Sequence, residues 1–86
     1  MVQLTATVKN SLGIHARPAA LIVQVASRFR SDVFLSKDGL EVNGKSIMGV
    51  MMLAAEAGSE VGVRVEGEDE EKAARELVKV IESKFD

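Results

Sequence analysis

The chain contains no cysteine, tryptophan or tyrosine, and its 86 residues include one histidine, one proline and three phenylalanines. Without cysteine it can form neither a disulfide bond nor a thiolate metal site. The formal net charge of -2 and the lack of large stacking rings argue against nucleic acid as a partner. No apolar run approaches the length of a membrane span, and the first ten residues lack the pattern of a secretion signal. We therefore expect a cytoplasmic protein with no nucleic-acid partner, no membrane insertion and no metal site.

The chain has the length of one domain, and its content of 47% hydrophobic and 28% charged residues is ordinary for a globular protein. Alternating apolar and polar residues predict strands, whereas apolar spacings of three and four residues predict helices. The predicted order is a strand at 2–8, a helix at 16–29, strands at 32–36 and 40–43, a helix at 47–55, a strand at 61–65 and a helix at 69–85. Because each strand has one apolar face, we expect an antiparallel or mixed sheet with helices on one side. The fold class is a two-layer α/β (α+β) sandwich, β-α-β-β-α-β-α, in a single domain over 1–86.

The last helix has the clearest pattern in the chain. Acidic residues fill its first turn, where they favour the positive end of the helix dipole. One apolar stripe runs along its length and should face the sheet. The predicted members of this stripe are Ala74, Val78, Ile81 and Phe85.

The segment LGIHARPAAL, residues 12–21, holds the only histidine and the only proline, where the first helix should begin. A helix N-terminus presents unpaired N–H groups and the positive end of the dipole, which favour an anion such as phosphate. Arg17 adds a planar cation that grips phosphate oxygens, and a neutral imidazole such as His15 is a nucleophile toward phosphorus. This arrangement suits a transient phosphohistidine. The alternative is a surface histidine near Pro18, which favours a first helical turn for reasons of folding alone.

Two segments, GIHARPAA at 13–20 and KSIMGVM at 45–51, resemble the HPr family, the histidine-containing phosphocarriers of the bacterial sugar phosphotransferase system. The resemblance covers the whole chain and implies an open-faced sandwich with a four-stranded antiparallel sheet and three helices on one face. It implies that His15 accepts a phosphoryl group on Nδ1 from phosphorylated enzyme I and passes it to a IIA domain of a sugar transporter. It also implies that Arg17 contacts the phosphate, that the N–H groups of Ala16 and Arg17 bind it, and that no cofactor is needed.

Ser46 directly precedes the predicted short helix, at a position where serine commonly caps a helix N-terminus. The resemblance adds a second role, because the matching position in the family is a regulatory phosphoserine made by HPr kinase/phosphorylase. The two roles are compatible, since phosphate at a helix N-terminus lies favourably against the dipole. We therefore predict that Ser46 is both a helix cap and a phosphorylation site.

The short helix carries more apolar residues than one buried face can hold, and we expect Val50 and Leu53 to be the buried ones. Flexible thioether side chains suit a surface that docks several unrelated proteins, as the surface of a carrier must. The expected partner-binding residues are Ala20, Ile47, Met48 and Met51. Because donor, acceptor and regulator would share this surface, we expect the protein to be a monomer.

Three functions of different classes remain open at this stage. A phosphocarrier would be a stoichiometric intermediate that depends on partner enzymes, rather than an autonomous enzyme. A regulatory module would act through Ser46 and the exposed apolar residues, by binding a catabolite control protein. A small hydrolase would need a second acid–base group or a metal cluster beside His15, and the sequence offers neither. The presence of His15 with Arg17 favours the phosphocarrier.

Overall fold

The computed structural model describes residues 1–84, which form four strands and three helices in the predicted order. The elements are β1 (Val2–Thr7), α1 (Ala16–Ser27), β2 (Asp32–Lys37), β3 (Leu40–Asn43), α2 (Ile47–Met52), β4 (Glu60–Glu66) and α3 (Glu70–Ile81). Within residues 1–84, no helix has both the length and the apolar character needed to cross a membrane.

The four strands form one antiparallel sheet in the order β1-β4-β2-β3. β4 pairs with β1 on one side, where Leu4 lies opposite Val63, and with β2 on the other, where Leu35 lies opposite Val63. β2 and β3 are joined by a two-residue turn at Asp38 and Gly39, whose φ values of 51° and 85° are both positive. A turn of this type matches the twist of a hairpin, and Asp-Gly is one of the sequences that favour it. The three strand pairings confirm the antiparallel sheet that the family resemblance implies.

The core lies between the sheet and the helices. The three valines of β4 are fully buried, and Ile22 of α1 and Leu77 of α3 pack with them. The opposite face of the sheet is polar: Arg64 lies over the ring of Phe34, 4.2 Å from its centroid, and donates two hydrogen bonds to Glu41. The predicted two-layer arrangement, with helices on one face of the sheet, is confirmed.

The second helix is shorter than predicted, because it ends at Met52 instead of Ala55. Leu53 and Ala55 are both buried, whereas Ala54 between them is exposed and has a left-handed φ of 49°. Neighbours two residues apart do not share a face of an α-helix. The chain therefore leaves the helical conformation in order to bury both Leu53 and Ala55.

The buried stripe of α3 also differs in part from the prediction. Val78 is only partly buried, and Phe85 lies outside the described residues. Residue 77, which the predicted stripe omitted, lies one helical turn from 73 and from 81, so that these positions share one face. The observed buried residues of α3 are Ala73, Ala74, Leu77 and Ile81.

Candidate functional site

His15 occupies the N-cap position of α1, with an extended backbone (φ −95°, ψ −165°). Serine, aspartate and their relatives use this position to cap the helix with their side chains. The side chain of His15 makes no such capping bond, and the residue is exposed. Within the described part of the chain, the side chain of His15 has no hydrogen-bond or ion-pair partner.

The start of α1 leaves backbone donors open beside this imidazole. The first helical hydrogen bond runs from the N–H of Ala19 to the carbonyl of His15, at 2.9 Å. The N–H groups of Ala16 and Arg17 precede it and have no helical acceptor. Pro18 follows in the first turn, is buried, and has no N–H to satisfy. Two N–H donors without helical acceptors therefore follow His15 directly, and the binding of phosphate by them, which the family resemblance implies, stays a prediction.

Arg17 is exposed and makes no ion pair with any residue in 1–84. Two other arginines are paired, since Arg64 lies 2.8 Å from Glu41 and Arg30 lies 3.4 Å from Glu68, whereas Arg28 and Arg75, like Arg17, make no ion pair in residues 1–84. A guanidinium without a carboxylate partner is free to bind phosphate oxygens in a bidentate manner. Arg17 lies in the first turn of α1, and its contact with phosphate stays a prediction.

The segment that carries His15 is held by a network that the sequence analysis missed. We call residues 10–15 the His15 loop. Asn10, which is 1% exposed, begins a turn that its carbonyl closes by accepting from the N–H of Gly13 at 3.0 Å. Gly13 has a φ of +74°, and the N–H of Ile14 donates to the carbonyl of Ala55 at 2.8 Å. The segment NSLG at 10–13 predicts the break after β1 and the loop itself, whereas the hydrogen bonds that hold the loop were not predicted.

The short helix α2 packs against α1 and exposes an apolar face. Val50 and Leu53 are buried, as predicted. The predicted exposure of Ile47, Met48 and Met51 is confirmed, with exposed fractions of 44%, 76% and 42%. Met52, which the prediction omitted, is 65% exposed, and Ala20 of α1 is half-buried. We call the set Ala20, Ile47, Met48, Met51 and Met52 the α2 surface.

Ser46 caps α2, which confirms the structural half of its predicted role. Its Oγ accepts a hydrogen bond from the N–H of Gly49 at 3.0 Å. The residue is partly exposed at the start of the helix that carries most of the α2 surface. The neighbouring Lys45 is engaged elsewhere, because its Nζ donates to the carbonyl of Phe29 at 2.9 Å.

The carboxyl groups with shifted pKa values lie on the open face of the sheet and at the start of α3. The hydrogen bond from Arg64 lowers the pKa of Glu41. The pKa of Asp69 is lowered to about 2, chiefly by the hydroxyl of Ser31 and then by the backbone N–H of Arg30. These interactions tie the turn after α1 to the start of α3, at the opposite end of α1 from His15.

Comparison with known proteins gives a consistent result over nearly the whole chain. A family model for the PTS HPr component phosphorylation site matches residues 2–83. The phosphocarrier protein HPr of Treponema pallidum is 52% identical over 86 residues, which cover 100% of this chain and 98% of that protein. The crystal structure of HPr-C-His from Thermoanaerobacter tengcongensis matches with a TM-score of 0.92 at 52% identity, covering 99% of this chain and 96% of that one.

A third relative bears on the oligomeric state. The HPr-like protein Crh of Bacillus subtilis is 52% identical over 82 residues, which cover 95% of this chain and 96% of Crh. A crystal structure of Crh, described as a dimer with a swapping domain, matches with a TM-score of 0.76 at 53% identity and covers 94% of this chain and 93% of that one. Because a chain this similar forms a dimer, our expectation of a monomer stays a prediction.

Proposed function

The chain belongs to the HPr family of the phosphotransferase system, and we propose that it carries a phosphoryl group on His15 from enzyme I to the IIA domains of sugar transporters. The proposal rests on the arrangement of residues at the start of α1. His15 is exposed at the N-cap of α1, and the next two residues contribute backbone N–H groups without helical acceptors and, from Arg17, an exposed guanidinium that makes no ion pair in residues 1–84. The cytoplasm is the proposed location of the exchange.

The proposed transfer needs a nucleophile and a set of donors for the phosphoryl oxygens. The lone pair on Nδ1 of His15 attacks the phosphorus held by the phosphohistidine of enzyme I. A nitrogen–phosphorus bond to Nδ1 forms as the bond to the donor nitrogen breaks, and the donor nitrogen keeps the electron pair. The two N–H groups at the start of α1 and the guanidinium of Arg17 stabilise the negative oxygens during the transfer. The same step in reverse delivers the group to a histidine of the IIA domain.

The α2 surface is the proposed docking site for enzyme I and for the IIA domains. Four of its five residues lie on α2, which packs beside α1, and the fifth, Ala20, belongs to α1 itself, so that a partner seated there would also cover the start of α1. Its methionines are flexible and apolar, and such side chains can repack against partners of different shape. Because enzyme I and the IIA domains would use the same residues, we expect them to bind one at a time.

Regulation through Ser46 is a second proposed function, favoured by the partly exposed position of this serine at the edge of the α2 surface. HPr kinase/phosphorylase is the proposed source of the phosphate. A phosphorylated Ser46 would also offer a charged group beside an apolar surface, to which a catabolite control protein could bind. The two functions are compatible, because they use different residues of one surface.

Incubation with enzyme I and labelled phosphoenolpyruvate tests the phosphocarrier proposal. The wild-type chain should take up a label that is labile in acid and stable in base, and Ser46→Ala should take it up equally. His15→Ala should take up none while it retains its fold by circular dichroism. A regulatory module alone would take no label from enzyme I, and acid-labile label on His15→Ala would show that another residue is the acceptor.

A further inference from the structure

Asn10 is one of two buried polar residues in the described part of the chain, and the transfer step proposed above does not use it. We propose that Asn10 is a positioning residue for phosphoryl transfer by His15, an inference that rests on the proposed function. It acts through the backbone of the His15 loop and touches neither the phosphate nor a partner protein.

The side chain of Asn10 is directed at one peptide group. Its Nδ2 donates to the carbonyl oxygen of Gly13 at 2.6 Å. The N–H of Ile14, which belongs to the same peptide group, donates to the carbonyl of Ala55 at 2.8 Å. The peptide between Gly13 and Ile14 is therefore held at its oxygen by Asn10 and at its nitrogen by Ala55, three residues after the end of α2.

This peptide group sets the direction in which the chain enters His15. The carbonyl of Gly13 also accepts from the N–H of His15, at 3.2 Å, and one carbonyl oxygen can accept both donors. Gly13 has a φ of +74° and no side chain, so that its own conformation restrains the peptide little. A Cβ at this position would lie 2.5 Å from the carbonyl oxygen of Ala55, which leaves glycine as the residue that fits. The restraint must come from neighbouring groups, and Asn10 provides it at the oxygen.

The amide oxygen of Asn10 indicates that a contribution to stability alone does not explain why an asparagine lies here. Its Oδ1 is buried and accepts no hydrogen bond from residues 1–84. A buried acceptor without a partner costs free energy of folding, whereas an apolar side chain of similar volume would avoid that cost. An apolar side chain, however, could not donate a hydrogen bond to the carbonyl oxygen of Gly13. The amide is thus suited to fixing the loop rather than to filling the core.

Loss of this contact should slow the chemical step and spare docking. A displacement of about 1 Å in a reacting group can reduce a transfer rate by about 100-fold. We expect Asn10→Ala to lower the maximal rate of transfer from phosphorylated enzyme I by about 10- to 100-fold. The half-saturating concentration should change by less than about twofold, because docking takes place on the α2 surface.

Rapid-quench measurement of single-turnover transfer, over a range of concentrations of this chain, separates the maximal rate from the half-saturating concentration. Ser31→Ala is the matched control, since Ser31 is also 1% exposed and hydrogen-bonded in a loop, at the opposite end of α1. It should lower the melting temperature and leave both the maximal rate and the half-saturating concentration unchanged. Asn10→Leu is the second variant, because it removes the donor and the unpaired oxygen together and keeps the volume of the side chain filled.

Slow transfer by folded Asn10→Leu or Asn10→Ala, with unchanged half-saturation, would support the positioning role. Wild-type maximal rates in both variants would overturn it. An altered half-saturating concentration at an unchanged maximal rate would also overturn it, because Asn10 would then act on docking. These results differ from failure of the proposed function, in which the wild-type chain itself would receive no phosphoryl group from enzyme I.

Discussion

At the scale of single residues, the proposed chemistry of His15 depends on neighbours that lie within two positions of it. The imidazole is exposed because His15 does not use its side chain to cap α1. The next two residues contribute open N–H groups, and Arg17 contributes a guanidinium without an acidic partner in residues 1–84. All three features point to a negatively charged group bound at the start of α1.

Arg17→Ala should slow transfer from enzyme I and leave stability unchanged. A hydrogen bond to a charged group is worth about 1.5–3 kcal/mol, which corresponds to a rate loss of about 10- to 150-fold. The matched control is Arg28→Ala, because Arg28 is another exposed arginine, at the C-cap of the same helix. Unchanged transfer by Arg17→Ala, or an equal loss in both variants, would show that Arg17 has no specific role.

Ser46→Asp tests the proposed effect of charge at the edge of the α2 surface. Aspartate can still cap α2, so that the melting temperature should stay equal or rise slightly. An added surface charge near an incoming phosphoryl group should slow transfer by up to about fivefold, since such interactions are worth up to about 1 kcal/mol. Added salt should diminish the effect by screening.

Transfer rates and melting temperatures across ionic strength check this prediction. Ser46→Ala separates the loss of the cap from the gain of charge, because it removes the acceptor for the N–H of Gly49 and adds no charge. It should cost about 1 kcal/mol of stability. If Ser46→Asp slows transfer equally at all salt concentrations, or unfolds the protein, the electrostatic explanation is wrong.

At the scale of elements, α2 combines a small buried anchor with a large apolar face. Two buried residues, Val50 and Leu53, hold it against the core, and four exposed apolar side chains cover its outer face. A six-residue helix with this distribution gains little stability from its exposed side chains. Their apolar character is better explained by contact with other proteins.

Met51→Gln should therefore weaken docking of enzyme I. The variant should raise the half-saturating concentration for transfer by about tenfold, because part of the free energy of burying a methionine, about 1.5–3 kcal/mol, is lost. Leu40→Gln is the matched control, since Leu40 is 43% exposed against 42% for Met51 and lies at the hairpin end of β3, away from α2. Equal effects of the two substitutions would contradict the assignment of the α2 surface.

The junction between α1 and α3 gives a prediction about acid stability. The pKa of Asp69 is lowered to about 2, first by the hydroxyl of Ser31 and then by the N–H of Arg30. A lowered pKa in the folded state stabilises the fold above the unfolded pKa of 3.8, and this contribution is lost as the pH falls through about 2. Urea unfolding between pH 4 and pH 2 should show this loss in the wild type and a smaller one in Asp69→Asn. An identical pH dependence in the two proteins would contradict it.

At the scale of the whole molecule, the helices, His15 and the α2 surface lie on one side of the sheet, and the other face is polar. The His15 loop and α2 are also joined directly, through the hydrogen bond from Ile14 to Ala55. A partner that covers α2 therefore approaches His15 as well. That residues 1–86 fold as one domain and remain monomeric while they exchange partners stays a prediction.

Sequence patterns predicted the element order and an antiparallel or mixed sheet, because alternation and helical spacing are local properties of the chain, and the family resemblance narrowed the sheet to antiparallel. These patterns failed where tertiary packing decides which residues are buried and where a helix ends. Leu4 lies on the same face of β1 as the buried Ala6 but is 36% exposed, since β1 is an edge strand. Ala54 ends α2 early because both of its neighbours enter the core, and Leu77 faces the sheet through the orientation of α3.

The candidate site shows the same division between local and distant information. The order of His15, Arg17 and Pro18 along the chain was enough to predict a helix start with open donors. The role of Asn10 depends on where its side chain points and on a second restraint of the same peptide, the hydrogen bond from Ile14 to Ala55, which is 41 positions away in sequence, from 14 to 55. No local pattern contains that contact.

A chase experiment with the isolated phosphorylated chain tests the central claim most directly. The chain is labelled with enzyme I and phosphoenolpyruvate, separated from both, and mixed with an unlabelled IIA domain. If His15 is a carrier, the acid-labile label should leave this chain and appear on the IIA domain in equal amount, and His15→Ala should deliver none. Label that stays on the chain, is released only as free phosphate, or is acid-stable and lies on Ser46 would contradict the phosphocarrier function.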